Sequence, residues 1–264
     1  GPFDSPGLLA ALFTLFPERT GRELAEVVPG LQDDRRCGAA FRDSVLWRSP
    51  EAFSDETLRL LRGYIRTQCD LDETQEICIS LALVPGHPMN ADRLHSRLSS
   101  VALPERDKWW STFLYRAWNS QGAVDRIVLW ALSLNLKTKL DEESSFLCAT
   151  TLTWMFTTSN RFLRDRATKA LINLLTGRLR TAVRMVERFH GVDDPYVLER
   201  MYAACYGAVM RTNDVEELRE LAGCVFKHVF ADNRPPVHIL TRDYARGVVE
   251  RAVLLCDHLD VELA

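Results

Sequence analysis

Apolar residues recur every three or four positions through most of this chain, and that spacing restricts its fold more than any other feature. The last such run comprises Val237, Leu240, Tyr244, Val248, Ala252, Leu255 and Leu259. This is the spacing of one face of an α-helix, whereas a half-buried strand alternates at every second residue. The sequence contains no convincing alternating run of β-branched residues. We therefore expect an all-α protein.

Residues that favour helix caps mark where individual helices begin. We expect helices to begin at or just after Ser54, Asp72, Asn90, Pro104, Gln121, Asp141, Asn160, Asp194 and Asn213 or Asp214, with a break at Pro235-Pro236 before the last helix. Asp194 is followed by Pro195 at the first helical position, where the missing N–H of proline is harmless. Gln121 to Leu136 is apolar on more than one face, which predicts a helix covered on both sides. Helices of ordinary length would number about 10–13 in this chain.

A weak internal repeat relates three of these helices. Phe162 to Ala167 aligns with Tyr196 to Met201 and with Leu240 to Ala245, and an acidic residue recurs at Asp165, Glu199 and Asp243. The acids are separated by 34 and 44 residues, which is the length of two helices and their turns. Small residues such as Gly207 and Gly247 would let neighbouring helices approach closely. The pattern predicts an α-solenoid of antiparallel helix pairs (HEAT-like), with an irregular helical bundle as the alternative.

We divide the chain into three parts from the sequence. Gly1-Pro2 has the form of a remnant left when a purification tag is cut off, and it suggests that the chain is a fragment of a longer one. Residues 3–85 form an N-terminal helical part. Residues 86–264 form HEAT-like repeats that continue from the first part.

Composition and charge exclude several classes of protein. Hydrophobic content of 47% and a net charge of −3 are ordinary for a globular protein and provide no overall attraction to nucleic acid or membrane. No apolar stretch reaches the roughly 18 residues of a membrane span, and we expect no signal peptide, because the start lacks a basic region and a small-residue cleavage site. The seven cysteines are odd in number and form no CxxC pair, and Cys148, Cys205 and Cys256 lie in apolar helical stripes. These features favour a reducing cytoplasm.

Three segments resemble a known class of protein: Gly86 to His95, Pro104 to Trp110, and Asp193 to Arg200. In this order they are similar to the α-helical region that follows the nucleotide-binding core in large bacterial STAND-type NTPases, a group that includes intracellular antiviral defence sensors. The resemblance covers about residues 80 to 260 and implies a sensor or scaffold segment that reports binding to an NTPase elsewhere in the polypeptide. The catalytic motif is not carried over, because the chain has no GxxxxGK[ST] loop.

A cluster of basic residues is the most informative candidate site. Between positions 161 and 188 the chain has a net charge of +6, from Arg161, Arg164, Arg166, Lys169, Arg178, Arg180, Arg184 and Arg188 against Asp165 and Glu187. Arg180, Arg184 and Arg188 share one helix face, since they are four residues apart. Arginine suits phosphate or carboxylate groups, so a nucleic-acid backbone or an acidic peptide is a candidate ligand. The alternative is a solvated surface whose charges are paired with nearby acids.

Other candidate residues have strong structural explanations. Trp109 and Trp110 are candidate interface aromatics, but adjacent helix positions point about 100° apart, so we expect one in the core and the other partly exposed. Cys224 and His228 share one helical face, but Cys256 and His258 diverge by about 200° on their helix, which is poor geometry for zinc, so we expect no metal or cofactor. Acidic pairs at Asp33-Asp34, Asp70 with Asp72, and Asp193-Asp194 lie at helix starts, where capping explains them.

Three functions are compatible with these features of the sequence. The first is a non-catalytic protein-interaction or sensor module, with a protein partner or the rest of its own polypeptide as the ligand and without membrane contact. The second is a nucleic-acid-binding helical-repeat module that uses the arginine cluster. The third is an enzyme that removes flipped-out bases, for which Asp165 would be the candidate acid. We favour the first, because no nucleophile or catalytic loop is visible in the sequence.

Overall fold

The computed structural model describes residues 5–28, 30–31, 35–135, 138–232 and 234–258. Every regular element within these ranges is helical, and they contain no β-strand. The all-α class expected from the spacing of apolar residues is therefore confirmed. No helix in the described part of the chain is long and apolar enough to cross a lipid bilayer.

The chain divides into two compact units, with the boundary between Arg93 and Leu94. Unit 1, the part before this boundary, contains α1 (Pro6–Thr20), α2 (Leu24–Val27), α3 (Arg35–Val45), α4 (Asp55–Gly63) and α5 (Gln68–Leu81), and α6 (Ala91–Ser99) crosses the boundary. Its core forms where α1, α3 and α4 meet. There the Phe41 ring lies 5.4 Å from the Phe13 ring and 5.2 Å from the Tyr64 ring, between centroids.

Polar side chains connect the irregular segments of unit 1. The Arg48 side chain is fully buried, and its Nη1 atom lies 2.6 Å from Oε1 of Glu23, which is also buried. The Thr57 hydroxyl donates to the same carboxylate oxygen, and Arg48 Nη2 donates to the Ser44 hydroxyl at 3.2 Å. This network links the start of α2 with the region after α3 and the first turn of α4.

Unit 2, the part after the boundary, contains longer helices in a more regular arrangement. In chain order they are α7 (Leu103–Arg106), α8 (Thr112–Ala117), α9 (Ala123–Ser133), α10 (Glu142–Trp154), α11 (Arg161–Leu175), α12 (Leu179–Phe189), α13 (Pro195–Val209), α14 (Val215–Val229) and α15 (Ile239–His258). A π-helical turn, Asp107–Ser111, makes α7 and α8 continuous. The described chain has more helical segments than expected, because the sequence analysis did not anticipate short ones such as α2.

Helix caps confirm most of the predicted helix starts. The side chains of Asp141, Asn160, Asp194 and Asp214 accept hydrogen bonds from backbone amides in the first turns of α10, α11, α13 and α14. These acceptors satisfy amides that have no partner within the helix. The predicted start at Asp72 is wrong, since α5 begins at Gln68 and is capped by the Thr67 hydroxyl.

The predicted apolar face of the last helix is wrong at its beginning. Val237 precedes α15 and is 94% exposed, and Leu240 in the first turn is 42% exposed. Val248 and Ala252 are buried as expected. Leu259 lies outside the described residues. The face therefore packs only from the second turn of the helix onward.

Helices α9, α11, α13 and α15 pack side by side in a first row. Near the start of two of them, Arg200 of α13 lies 3.1 Å from Asp165 of α11, between Nη1 and Oδ1. Toward the other end, Arg211 Nη1, just after α13, donates to the Asn173 side chain of α11 at 2.9 Å. Contacts at both matching ends mean that α11 and α13 run parallel.

Helices α10, α12 and α14 form a second row in the same way. The Leu179 amide at the start of α12 donates to the Glu217 carboxylate near the start of α14, at 3.2 Å. At the other end, the His190 and His228 rings stack with centroids 4.2 Å apart. These two helices are therefore parallel. The rows contact each other through successive helices of the chain, namely α10 with α11, α12 with α13, and α14 with α15.

Two glycines allow close approach within the first row, as the small residues of these helices suggested. A Cβ atom on Gly207 of α13 would lie 2.8 Å from the Ile172 side chain of α11, and one on Gly247 of α15 would lie 2.7 Å from the Tyr206 ring of α13. Real Cβ atoms do not come so near to other atoms. The helix spacing at these two points therefore depends on the missing side chain.

A buried ion pair fixes the π-interrupted helix to the start of α13. Arg106 Nη2 lies 2.9 Å from Asp194 Oδ2, and both side chains are almost fully buried. The same guanidinium donates to the carbonyl oxygen of Asp193 at 3.1 Å and to that of Leu98 at 3.3 Å. Two of the three segments that carry the sequence resemblance, 104–110 and 193–200, thus meet at this contact.

Candidate functional site

The predicted basic cluster begins on α11, where its charges already have partners. Arg161 lies 3.6 Å from Asp165, which also pairs with Arg200. Arg164 donates to the carbonyl oxygen of Thr158 at 3.3 Å, and its guanidinium lies 5.6 Å from the centre of the Tyr196 ring. Lys169 is exposed, as is Arg166, which is considered with the cleft below.

The remainder of the cluster lies on and before α12, in the second row. Arg178 donates to the carbonyl oxygens of Leu174 and Thr138, and Arg180 lies 3.7 Å from Glu217. Arg184 pairs with Glu143 at 2.8 Å and with Glu142 at 3.6 Å. The guanidinium carbons of Arg184 and Arg188 lie 3.7 and 3.9 Å from the centre of the Phe146 ring.

The cluster is therefore divided between the two rows of unit 2. Arg184 and Arg188 come together around Phe146, while Arg161 and Arg164 contact groups of the first row. Residues 161–188 are continuous in sequence, but α11 and α12 pack against different neighbours. Most of these arginines stabilise contacts between helices.

The two adjacent tryptophans separate as the sequence suggested. Trp110 is fully buried, and its indole N–H donates to the carbonyl oxygen of Trp154 at 3.0 Å. Trp109 is half-buried, with the Arg97 guanidinium 4.5 Å from the ring centre. Trp110 is thus a core residue with no exposed surface to offer a partner, and Trp109 is covered in part by a cation–π contact.

The cysteine and histidine candidates have ordinary packing roles. Cys148 and Cys205 are fully buried, and burial raises the pKa of Cys205 to about 12. Cys224 lies near the carbonyl oxygen of Val183, and His228 stacks on His190. The His258 side chain lies outside the described residues. Within the described part of the chain, no group of three or more His, Cys, Asp or Glu side chains has the geometry to hold a metal ion.

Asp194 and Asp70, two of the acidic residues predicted as caps, accept hydrogen bonds from backbone amides at helix starts, whereas Asp72 lies within α5 and accepts from the Gln68 side chain. Asp194 Oδ1 accepts from the amides of Tyr196 and Val197 at 3.1 and 3.2 Å. Asp70 accepts from the Thr67 amide and lies 2.7 Å from Arg42. Its hydrogen bonds and the charge of Arg42 outweigh the opposing effect of burial and lower the pKa of Asp70. Asp33 and Asp34 lie outside the described residues.

An open cleft between α9 and α11 has a size and lining suited to hold a ligand. It has a volume of about 600 Å³, and we call it the α9–α11 cleft. Its main lining residues are Trp118, Asp125, Arg126, Leu129, Phe162 and Arg166. Phe162 and Leu129 are 74% and 52% exposed, and together they form apolar surface at the cleft. The cleft therefore combines apolar surface with two arginines.

A capped loop shapes one end of this cleft. Asp125 in the first turn of α9 accepts from the amides of Asn119 and Gln121 at 3.0 and 2.7 Å. Both donors are non-glycine residues in the left-handed region, with φ of 68° and 63°. These hydrogen bonds hold the loop in a conformation that L-residues rarely adopt. They also occupy the Asp125 carboxylate, so Arg166 provides the cleft's available charge.

Arg166 is the arginine of the predicted cluster that faces this cleft. Its guanidinium lies 5.9 Å from the centre of the Trp118 ring, and it makes no ion pair within the described residues. Arg126 lies on the opposite wall and donates weakly to the carbonyl oxygen of Gln121 at 3.5 Å. Arg166 can therefore contact a ligand in the cleft, while Arg126 adds positive charge to the opposite wall.

Exposed apolar residues continue from the cleft along the starts of the first-row helices. Phe162, Tyr196 and Leu240 occupy the same position in the internal repeat and are 74%, 58% and 42% exposed. Arg164 and Arg242 are also equivalent, and each donates to the carbonyl oxygen six residues earlier, of Thr158 and Pro236. These two aligned segments therefore share a side-chain contact as well as sequence similarity. We call Phe162, Tyr196 and Leu240 the apolar stripe.

The α9–α11 cleft and the apolar stripe were not predicted from the sequence, because the expectation for α9 was wrong. The apolar pattern of Gln121–Leu136 predicted a helix covered on both sides, and this is wrong, because Leu129 and Trp130 of α9 are 52% and 38% exposed. The apolar residues on several faces of this helix could also have predicted an exposed interaction surface. Phe162, Tyr196 and Leu240 were aligned in the predicted repeat, but only the aligned acidic residues were given a role.

Comparisons of the chain with models of known protein families, with curated proteins and with solved structures found no match.

Proposed function

We propose that this chain is a non-catalytic protein-interaction module that binds a segment of a partner protein along the apolar stripe and the α9–α11 cleft. The observation that carries the proposal is the exposure of Phe162, Tyr196 and Leu240 at equivalent positions of three neighbouring helices. Exposed apolar residues that recur in register mark interaction sites more often than isolated ones. Tyrosine and phenylalanine are also well suited to anchor partners.

The proposal includes a HEAT-like solenoid for unit 2. Its support is the pair of parallel rows, α9–α11–α13–α15 and α10–α12–α14, with successive helices alternating between them. In such a stack each repeat contacts mainly its neighbours, and the starts of equivalent helices lie along one surface. A surface of this kind can bind an extended segment without any catalytic group.

A protein partner accounts for the charges better than a nucleic acid does. The arginines of α12 pair with Glu217, Glu142 and Glu143. Arg161 is similarly paired with Asp165. Nucleic-acid binding depends on contacts between basic side chains and phosphates. A phosphate backbone would have to displace these carboxylates before it could contact the arginines.

The wider context that we propose is a sensor segment of a bacterial STAND-type NTPase, acting in the cytoplasm. Its support is the resemblance of the three segments named above, two of which meet at the buried Arg106–Asp194 pair. A GxxxxGK[ST] motif encoded upstream in the same reading frame is the expected result. A reading frame that holds no such motif would remove this part of the proposal and leave the interaction module intact.

Photo-crosslinking tests the proposed surface directly. A photoreactive phenylalanine analogue is placed at Phe162 or Tyr196, and at Phe226, which is an exposed aromatic on α14 in the second row. The proteins are produced and irradiated in cells of the source organism. We expect discrete protein adducts from the two stripe positions and none from position 226. Equal adducts at all three positions, or none from the stripe, would contradict the proposal.

A further inference from the structure

The charges of the α9–α11 cleft select an anionic ligand. Arg166 on α11 has no ion-pair partner within the described residues, and Arg126 faces it across the cleft from α9. The carboxylate of Asp125 is held by two loop amides and lies deep, at 7% exposure. Guanidinium groups bind carboxylates in a planar, two-bonded geometry.

The apolar part of the cleft favours a ligand that carries an apolar group as well as a negative charge. Trp118, Leu129 and Phe162 lie beside the arginines and present apolar surface to the opening. A ligand must therefore place an apolar side chain next to a carboxylate. A free inorganic anion satisfies only the arginines, whereas a peptide with neighbouring acidic and apolar residues satisfies both.

The spacing of the apolar stripe restricts the conformation of such a peptide. Neighbouring packed helices lie about 8–10 Å apart, so Phe162, Tyr196 and Leu240 are expected to recur at about that interval. A polyproline II helix has three residues per turn and rises about 3.1 Å per residue, which is about 9 Å per turn. Its side chains at every third residue therefore match the stripe.

We infer that the α9–α11 cleft and the apolar stripe bind an acidic peptide segment in the polyproline II conformation, with an apolar side chain at every third residue. This inference rests on the proposed function and names the chemistry of the partner. The first apolar side chain lies against Phe162 and Trp118, and an adjacent carboxylate pairs with Arg166. The next two apolar side chains contact Tyr196 and Leu240.

The test uses a synthetic peptide, Leu-Pro-Glu repeated three times and labelled with fluorescein, and the full chain. Two matched peptides replace either every Glu with Gln or every Leu with Ala. Fluorescence anisotropy measures the dissociation constants. We expect each control peptide to bind at least about tenfold more weakly than the parent peptide, which corresponds to about 1.4 kcal/mol.

Variants of the protein locate the binding. Arg166→Glu and Phe162→Ala should each lower the affinity for the parent peptide at least about tenfold. Arg180→Glu and Phe226→Ala change exposed residues of the second row and should leave this affinity unchanged. Circular dichroism confirms that all four variants retain their helices. Arg166→Lys keeps the charge but loses the planar guanidinium group. Its affinity for the parent peptide should lie between those of wild type and Arg166→Glu.

Three results would overturn the inference. The first is no binding of the parent peptide, and the second is binding that Arg166→Glu and Phe162→Ala do not change. The third is tighter, Arg166-dependent binding of a labelled oligothymidylate, which would assign the cleft to single-stranded nucleic acid. Protein adducts at Phe162 in the crosslinking experiment, together with no peptide binding, would reject the peptide chemistry and retain the interaction module.

Discussion

Unit 1 and unit 2 both bury an arginine–carboxylate pair, but the two pairs have different surroundings. In unit 1, Glu23 Oε1 accepts hydrogen bonds from Arg48 and Thr57, while its Oε2 atom has no hydrogen-bond partner among the described residues. In unit 2, Asp194 receives Arg106 through one oxygen and two backbone amides of α13 through the other. Glu23 therefore depends on its arginine more than Asp194 does.

This difference reflects how each unit positions its helices. Unit 1 has segments of unequal length, and polar side chains such as Arg48 and Arg42 connect them at specific points. Unit 2 repeats the same helix contacts, and glycines such as Gly247 set the distance between neighbours. Both units use polar contacts between helices, and the rows of unit 2 add a requirement of shape where glycines let two helices approach closely.

The largest expected effect comes from removing Arg48. Arg48→Met leaves the Glu23 carboxylate buried without its charged partner, which should cost about 3–5 kcal/mol. Arg106→Met should cost less, because Asp194 keeps its two amide donors. Hydrogen exchange at the amides of α3 and α13, followed by mass spectrometry, measures the free energy of opening in each unit.

A double variant separates the buried charge from the lost contacts. Arg48→Met combined with Glu23→Gln removes both charges and should recover part of the loss, since an unpaired buried charge is the main penalty. If Arg106→Met proved as damaging as Arg48→Met, the proposed difference between the two carboxylates would be incorrect.

The second prediction concerns the close helix contact in unit 2. Gly247→Ala places a methyl group 2.7 Å from the rigid Tyr206 ring and should destabilise the protein by about 1–3 kcal/mol. Gly223→Ala is the matched control, because its Cβ on α14 meets no atom within 4 Å. That change should stabilise by up to about 1 kcal/mol through helix propensity. Urea unfolding measures both.

The equivalent change in unit 1 sharpens the comparison. Gly38 of α3 is less crowded, since its Cβ would lie 3.3 Å from the Tyr64 ring. Gly38→Ala should therefore fall between the two changes in unit 2. A destabilisation by Gly38→Ala that exceeds that by Gly247→Ala would show that close backbone approach matters as much in unit 1.

Local chemistry explains which parts of the fold could be predicted from the sequence. Asn160, Asp194 and Asp214 act on amides two or three residues away, so their capping is visible in a short window of sequence. The start of α5 was misplaced although its cap is also local: the Asp70 amide donates to the Thr67 hydroxyl and the Thr67 amide donates to the Asp70 carboxylate.

The candidate site was less predictable because it depends on which helices become neighbours. Arg166 and Arg180 are fourteen positions apart, yet they lie on helices of different rows. Trp118 reaches Arg166 only because α9 packs against α11. Phe162, Tyr196 and Leu240 were aligned from the sequence, but their exposure appears only once the rows have formed.

The third prediction compares buried histidines in the two units. Burial lowers the pKa of His87 below its ordinary value of 6.5, and burial together with the charge of His190 lowers the pKa of His228. The unfolded chain then binds protons at higher pH than the folded chain does. Stability should therefore decrease as the pH falls below about 6.5.

His87 should contribute the larger part of this pH dependence, because it is 3% exposed. His87→Asn keeps an acceptor for the Met89 amide and should flatten the fall in stability between about pH 7.5 and 5.5. His228→Gln should flatten it less. Thermal melts across this range measure both slopes, and parallel slopes for wild type and His87→Asn would reject the assignment.

The smallest expected effects concern the surface arginines of α12. Arg184→Ala removes a contact with the Phe146 ring and a 2.8 Å pair with Glu143, from a side chain that is 32% exposed, and should cost about 1 kcal/mol. Arg180→Ala removes only a 3.7 Å pair with Glu217 from a 65% exposed side chain, and should cost less than about 0.5 kcal/mol.

Added salt screens exposed ion pairs but leaves ring contacts in place, so the difference in stability between the two variants should persist in 1 M salt. Urea unfolding at low and high salt measures this difference. If it disappeared in salt, ion pairing would account for Arg184, and polar contacts would position the helices of unit 2 as they do those of unit 1.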